Sequence, residues 1–292
     1  MQPKTIYPSR CFFEMKASKD CYECLQKVAY QAAGLATNDE PAKARAIEEG
    51  LKIVDDDFSL DGVTIVVATK IHHAVKKITG NPDPYRQMKD KEIAVARELS
   101  QAFELKHEDF ASCLRFAAVG NNIDFFIPID AVETEMKGRV DFAIDDSERF
   151  EARLKDAGRV LYLADNAGET FFDLPLLRWM KQRASIVYVV KASPVHNDIT
   201  LEDIRRMGLE AELGEIINTG TATPGIDFSQ ASAEFKREFD SADLIFAKGM
   251  GYYESLSELP AEDRVFYCFR AKCQPVADSL GVPLKSYVAM LR

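Results

Sequence analysis

The feature that most constrains this chain is a change of apolar texture after Gly158. Beyond it, short β-branched or aromatic runs recur at Val160 to Ala164, Ile186 to Val190, Leu244 to Ala247, Val265 to Phe269 and Ser286 to Ala289, with a weaker one near Ile216. Helical stretches separate them. Runs that are continuously apolar, rather than alternating, belong to strands covered on both faces, as in a parallel sheet between helix layers. Residues 156–292 therefore read as a doubly wound α/β domain.

Residues 1–155 carry a different pattern, an apolar repeat every three to four positions that predicts helices. They are expected over Cys21 to Ala33, Pro41 to Val54, Val63 to Ile78, Tyr85 to Glu104, Phe110 to Val119 and Ser147 to Lys155. The stretch Gly80-Asn81-Pro82-Asp83-Pro84 breaks two of them apart, since proline biases the residue before it away from helix. This half reads as a helical N-terminal subdomain.

Of the 292 residues, 47% are hydrophobic, ample for a sizeable core. Against 37 basic residues stand 47 acidic ones, a formal charge of -10 that phosphate backbones and anionic membrane surfaces repel. Nucleic acid and membrane are thus poor partners. A small anion remains a good one, because lysines or helix N-termini reverse the field inside a single cleft. No apolar run approaches the roughly 20 residues needed to cross a bilayer, and the first residues lack a signal core. The expected location is cytoplasmic. Six cysteines are too few for a disulfide scaffold of this length. Only Cys21 and Cys24 show a motif spacing; without a second such pair they read as packed thiols rather than half a zinc site. Cys11 and the histidines His72, His73, His107 and His196 receive no role.

Doubly wound sheets bind ligands beyond the C-terminal ends of their strands. Four polar segments occupy such positions: Asp165-Asn166-Ala167-Gly168-Glu169, Lys191 to Asp198, Lys248 to Glu254, and Arg270-Ala271-Lys272-Cys273. Neighbouring strands lie about 4.8 Å apart, so Asp165 and Asp198 converge on one cation if their strands pair. Two carboxylates and the Asn166 amide make a hard oxygen site suited to Mg²⁺ or Mn²⁺. Lysines beside it supply point charges for phosphate oxygens. The plain alternatives are an ordinary Asx turn at Asp165 and a helix cap at Asn197-Asp198. Lys248-Gly249-Met250-Gly251 half-matches a dinucleotide fingerprint, but Glu254 stands at the third glycine position, and no P-loop occurs. Gly120-Asn121-Asn122-Ile123-Asp124 reads as a helix C-cap whose polar side chains line the site only if the helical half folds over the crevice.

Together these stretches resemble the metal-dependent damage-control phosphatases, formerly domain-of-unknown-function family 89, and most of all their stand-alone prokaryotic branch with an N-terminal Cys-x-x-Cys. The matching segments are Cys21 to Cys24, Gly80 to Tyr85, Gly120 to Asp124, Asp165 to Glu169, Lys191 to Asp198, Lys248 to Glu254 and Ala271 to Cys273. The resemblance implies a Rossmann-like three-layer α/β/α core, a helical N-terminal subdomain, and hydrolysis of sugar phosphates or damaged phosphometabolites with a divalent cation such as Mg, Mn, Co or Ni. It implies Asp165, Asn166 and Asp198 as metal ligands, and Lys248 and Lys272 on the substrate phosphate. Glu169 joins the two aspartates as a catalytic candidate, and Asp243 and Asn122 are further substrate-binding candidates. Two other classes fit a strand-end crevice: an S-adenosylmethionine-dependent methyltransferase, and a phosphate-ester binding protein without catalysis.

Overall fold

The computed structural model describes Met15, 17–103, 109–122, 140–257, Leu259 and 262–292. Of the residues singled out above, Cys11, Glu104, His107, Ile123 and Asp124 lie outside the described ones.

The first half forms α1 (Lys19–Ala36), α2 (Glu40–Asp57), α3 (Thr64–Thr79), α4 (Arg86–Ala102) and α5 (Phe110–Gly120). Local chemistry sets their ends. Ser18 caps α1 by accepting from the Asp20 amide, and Asp39 caps α2 by accepting from Ala42, with Pro41 in the first turn. Gly80, at φ 70°, closes α3 in the left-handed conformation that glycine adopts without strain. Helices α1 to α3 share a core of their own that includes Leu25, Ala29, Val54, Ile71 and Val75.

The remainder contributes β1 (Phe142–Asp145), α6 (Ser147–Leu154), β2 (Arg159–Leu163), α7 (Thr170–Lys181), β3 (Ser185–Val190), α8 (Leu201–Met207), α9 (Glu210–Leu213) and β4 (Glu215–Asn218). Then come α10 (Ala233–Ser241), β5 (Leu244–Lys248), α11 (Met250–Leu256), β6 (Val265–Arg270), α12 (Gln274–Leu280) and β7 (Tyr287–Leu291). The strands form one sheet in the order β1-β7-β6-β5-β2-β3-β4. In β2, Val160 and Tyr162 face one core while Leu161 and Leu163 face the other. Helix layers on both sides are why this run is apolar throughout.

Two features depart from the pattern read in the sequence. Strand β1 lies in the half expected to be helical; only Ile144 among its four residues is buried, so it leaves no apolar run to detect. Strand β7 runs antiparallel to β6, a direction that the apolar content of a strand does not encode.

The chain lays down β2, β3 and β4 outward, then returns to place β5 on the other side of β2, parallel to it. The reversal opens a crevice at the carboxyl ends of β2 and β5. No helix among the described residues is long and apolar enough to cross a membrane.

Candidate functional site

The turn after β2 is fixed by a second loop. The Ile199 amide donates to the Asp165 carbonyl and the Ala167 amide to the Asn197 carbonyl, both at 2.9 Å, so that Asn166 and Asp198 form an isolated antiparallel bridge. This brings the two predicted carboxylates together. Helix α8 is capped not by Asp198 but by Thr200, in a reciprocal box with Asp203. Asp198 is thus released from local duty: it is buried, and its Oδ2 has no hydrogen-bond partner. The nearest cation is Lys191, whose Nζ lies 3.5 Å from Asp198 Oδ2 while donating to the Gly225 carbonyl and the Tyr252 hydroxyl.

Asp165 receives one hydrogen bond from Asn121 Nδ2 at 3.1 Å, and the same amide donates to Glu169 Oε1 at 2.7 Å. Asn166 Nδ2 also donates to Glu169, at 2.7 Å. With its nitrogen so engaged, Asn166 retains its oxygen as a donor to a cation. Burial pushes the Asp165 carboxyl well above its ordinary range, and the charges of Glu169 and Asp198 push it further. Asp198 rises to about 6, burial again outweighing the opposing pull of Lys191. Acidic groups crowded in a dry place, one with an orphaned oxygen, fit a bound divalent cation. Among the described residues no three His, Cys, Asp or Glu side chains are arranged as a metal cage; the donor set here is two carboxylates and an amide.

Gly249, which follows β5, lets the backbone pass against this pair. At φ 81° it already favours glycine, and a Cβ there would sit 2.0 Å from Asp165 Oδ2.

Asp165, Asn166, Asp198 and Lys272 line one cavity of about 310 Å³. The other predicted residues lie elsewhere. Lys248 is fully buried beneath it, donating to the Ala117 carbonyl at 2.6 Å and to Asp173 at 2.9 Å, with Glu169 Oε2 at 3.1 Å. Burial alone lowers a lysine, but Asp173 and then Glu169 outweigh it and hold the ammonium firmly protonated. Asp173 rises to about 6, burial exceeding the pull of Lys248. Asn122 accepts from the Arg270 guanidinium rather than reaching the carboxylates. Asp243 sits at the opposite end of the sheet, where its Oδ2 accepts from the Gly158 and Arg159 amides.

Sequence reasoning gave no settled role to Asn121, which the fold of α5 over the crevice brings to its centre, or to Lys191. It missed Glu92 of α4, which accepts from Asn197 Nδ2 at 2.9 Å; Cys273, at the end of a strand-end segment, lines the cavity together with Cys21 and Cys24. For Lys191 a signal existed: a lone lysine closing a five-residue apolar run at a strand end.

Residues 17–288 match the family described as the damage-control phosphatase ARMT1-like domain. A damage-control phosphatase of Pyrococcus horikoshii is 34% identical over 283 residues, 94% of this chain and 98% of that protein. Another, from Archaeoglobus fulgidus, is 33% identical, covering 94% and 99% respectively. The crystal structure of a DUF89 family protein from Pyrococcus horikoshii superposes with a TM-score of 0.87 at 32% identity, covering 95% of this chain and 99% of that one.

Proposed function

The chain belongs to the damage-control phosphatase ARMT1-like family, and we propose that it is a divalent-cation-dependent phosphatase acting on small phosphorylated metabolites. One observation carries the reading: Asp165, Asn166 and the orphaned oxygen of Asp198 converge on a cavity that Lys272 also lines.

In this reading Asp165, Asn166 and Asp198 hold the cation. Bound there, a divalent ion supplies Lewis acidity toward a phosphoryl oxygen and makes a nearby water more acidic. Lys272 neutralises a second phosphoryl oxygen and orients the ester. Asn121 fixes the Asp165 carboxylate and Glu169 through one amide. Lys248 acts through Glu169 and Asp173, offsetting their charge from behind rather than meeting substrate. Asp165 accepts the proton of the attacking water; Glu169, whose Oε1 is taken by Asn121 and Asn166 and whose Oε2 faces Lys248, holds those amides in place instead.

The test is phosphate release from a panel of phosphorylated metabolites with Mg²⁺, Mn²⁺, Co²⁺ or Ni²⁺, or with chelator, for wild type and Asp165→Ala. Wild type is expected to turn over only with a cation, and the variant to lose about 100-fold or more, as when a preorganised charge-stabilising group is removed. A wild type silent under every cation, or an equally active variant, would overturn the proposal.

A further inference from the structure

The cavity has a floor, the polar cluster at the strand ends, and a helical roof to which α1 and α3 contribute. Helix α11 forms one of its sides. Beyond the floor residues, the polar side chains lining it are those of Asp20, Thr64, His196, Asn197 and Glu254. Glu254 belongs to the Lys248 to Glu254 segment, and neither the cation nor the phosphate makes use of it.

Helix α11 is pinned to both cation carboxylates. Gly249, just before it, passes so close to Asp165 that a Cβ there would lie 2.0 Å from Oδ2. Tyr252, in its first turn, accepts from Lys191, whose ammonium lies 3.5 Å from Asp198 Oδ2. Glu254 follows Gly249 by five residues, which sets it about 7.5 Å further along the helix axis. A small ester whose phosphate rests on the floor spans that offset with its alcohol portion.

From the roof, Thr64 Oγ1 donates to Glu254 Oε2 at 2.8 Å and so fixes how the carboxylate points. A carboxylate has about four acceptor directions, and Thr64 takes one. Burial raises the Glu254 carboxyl, and the Thr64 hydroxyl offsets this only in part. A further donated hydrogen bond therefore stabilises the charged form. Asp20, by contrast, is exposed in the first turn of α1, where water and the helix N-terminus serve it. Of the two carboxylates, Glu254 is the one held ready for a ligand.

Resting on the phosphatase reading, we propose that Glu254 is the specificity-determining residue for the body of the substrate, its carboxylate accepting a hydrogen bond from a free hydroxyl of the phosphorylated alcohol. The floor reads the phosphate, and α11 reads what carries it.

The test compares glycerol 1-phosphate and a hexitol 1-phosphate with propyl and hexyl phosphate, which match them in carbon chain and lack the free hydroxyls. Wild type is expected to favour the hydroxylated esters by about tenfold or more in kcat/KM, mainly through KM, the worth of a hydrogen bond to a charged group. Glu254→Leu, which removes every acceptor, should abolish most of that preference. Glu254→Gln, which keeps one acceptor oxygen, should retain part of it. The preference is a ratio between esters on one protein, so a variant that folds poorly still reports it. A preference unmoved in Glu254→Leu, or alkyl esters turned over as well by wild type, overturns this inference and leaves the phosphatase reading standing. No release from any ester under any cation overturns both.

Discussion

The floor and the roof of the cavity are built on opposite principles. The floor concentrates charge at strand ends: Asp165, Glu169, Asp173 and Asp198 lie among Lys191, Lys248 and Lys272, most of them buried. The helical roof is apolar inside and is clasped to the sheet by scattered polar links. One of these links, Lys89 to Asp203, is a fully buried pair; the others are exposed or part-buried: Arg86 meets Glu202, Arg206 meets Asp90, Asn197 meets Glu92, and Thr64 meets Glu254. Buried charge is costly to unbalance, whereas dispersed polar links are individually weak. The floor is therefore expected to be intolerant and pH-sensitive, the roof adjustable.

The largest break in that comparison should come from Lys248→Met. It strands Glu169 and Asp173 without their buried cation, which costs about 3–5 kcal/mol. Thermal unfolding should show a fall of roughly 10 °C, at the few degrees per kcal/mol of a chain this long. Lys272→Met, on the cavity wall, should leave melting nearly unchanged and reduce phosphate release instead. Equal loss of stability in both would mean that the two lysines share one role.

Cation and pH sharpen the contrast next. Asp173 and Asp198 rise to about 6, burial being the main cause, and Asp165 rises too. The folded chain then binds protons more tightly than the unfolded one. In chelator, these groups make stability fall as pH rises from about 4 through about 6. A divalent cation at neutral pH should reverse that loss, by about 2.7 kcal/mol at a hundredfold excess over its Kd. Melting curves at pH 5 and 7.5, with chelator and with Mn²⁺, read both effects. Melting in chelator that rises over this window would contradict the crowded-carboxylate floor.

The roof should respond more gently. Glu92→Ala removes the acceptor for Asn197, at about 2 kcal/mol for a bond to a charged group, and is expected to raise KM more than it lowers kcat. Steady-state kinetics would show the reverse split if Glu92 served the chemistry itself. Smallest of all, Arg86→Ala opens an exposed clasp to Glu202 worth about 0–1 kcal/mol. Its effect on melting should vanish in high salt; a loss of several degrees there would show that the clasp is no ordinary surface pair.

Most elements of the fold were legible because periodicity records local backbone state. The six helices expected up to Lys155 and six of the strands fall within a few residues of where the apolar pattern puts them. The exception, β1, lies at the sheet edge, where one buried residue suffices. At the site, Asp165, Asn166, Asp198 and Lys272 were legible as polar residues at the ends of apolar runs, and all four reach one cavity. Asp243 was not, since it precedes its strand and so lies at the far end of the sheet.

The two lysines mark the limit. By itself the sequence determined that Lys248 and Lys272 each come after a buried strand, for the run before each one is apolar. Which one faces the crevice depended on tertiary structure. Lys248 is the last residue of β5 and shares the pleat face of Phe246, which packs in the core containing α5 and α7. The pleat fixes that parity from sequence, but strand order and helix placement decide what each face meets. Here they set Asp173 and Glu169 beneath Lys248, and left Lys272 to the open crevice.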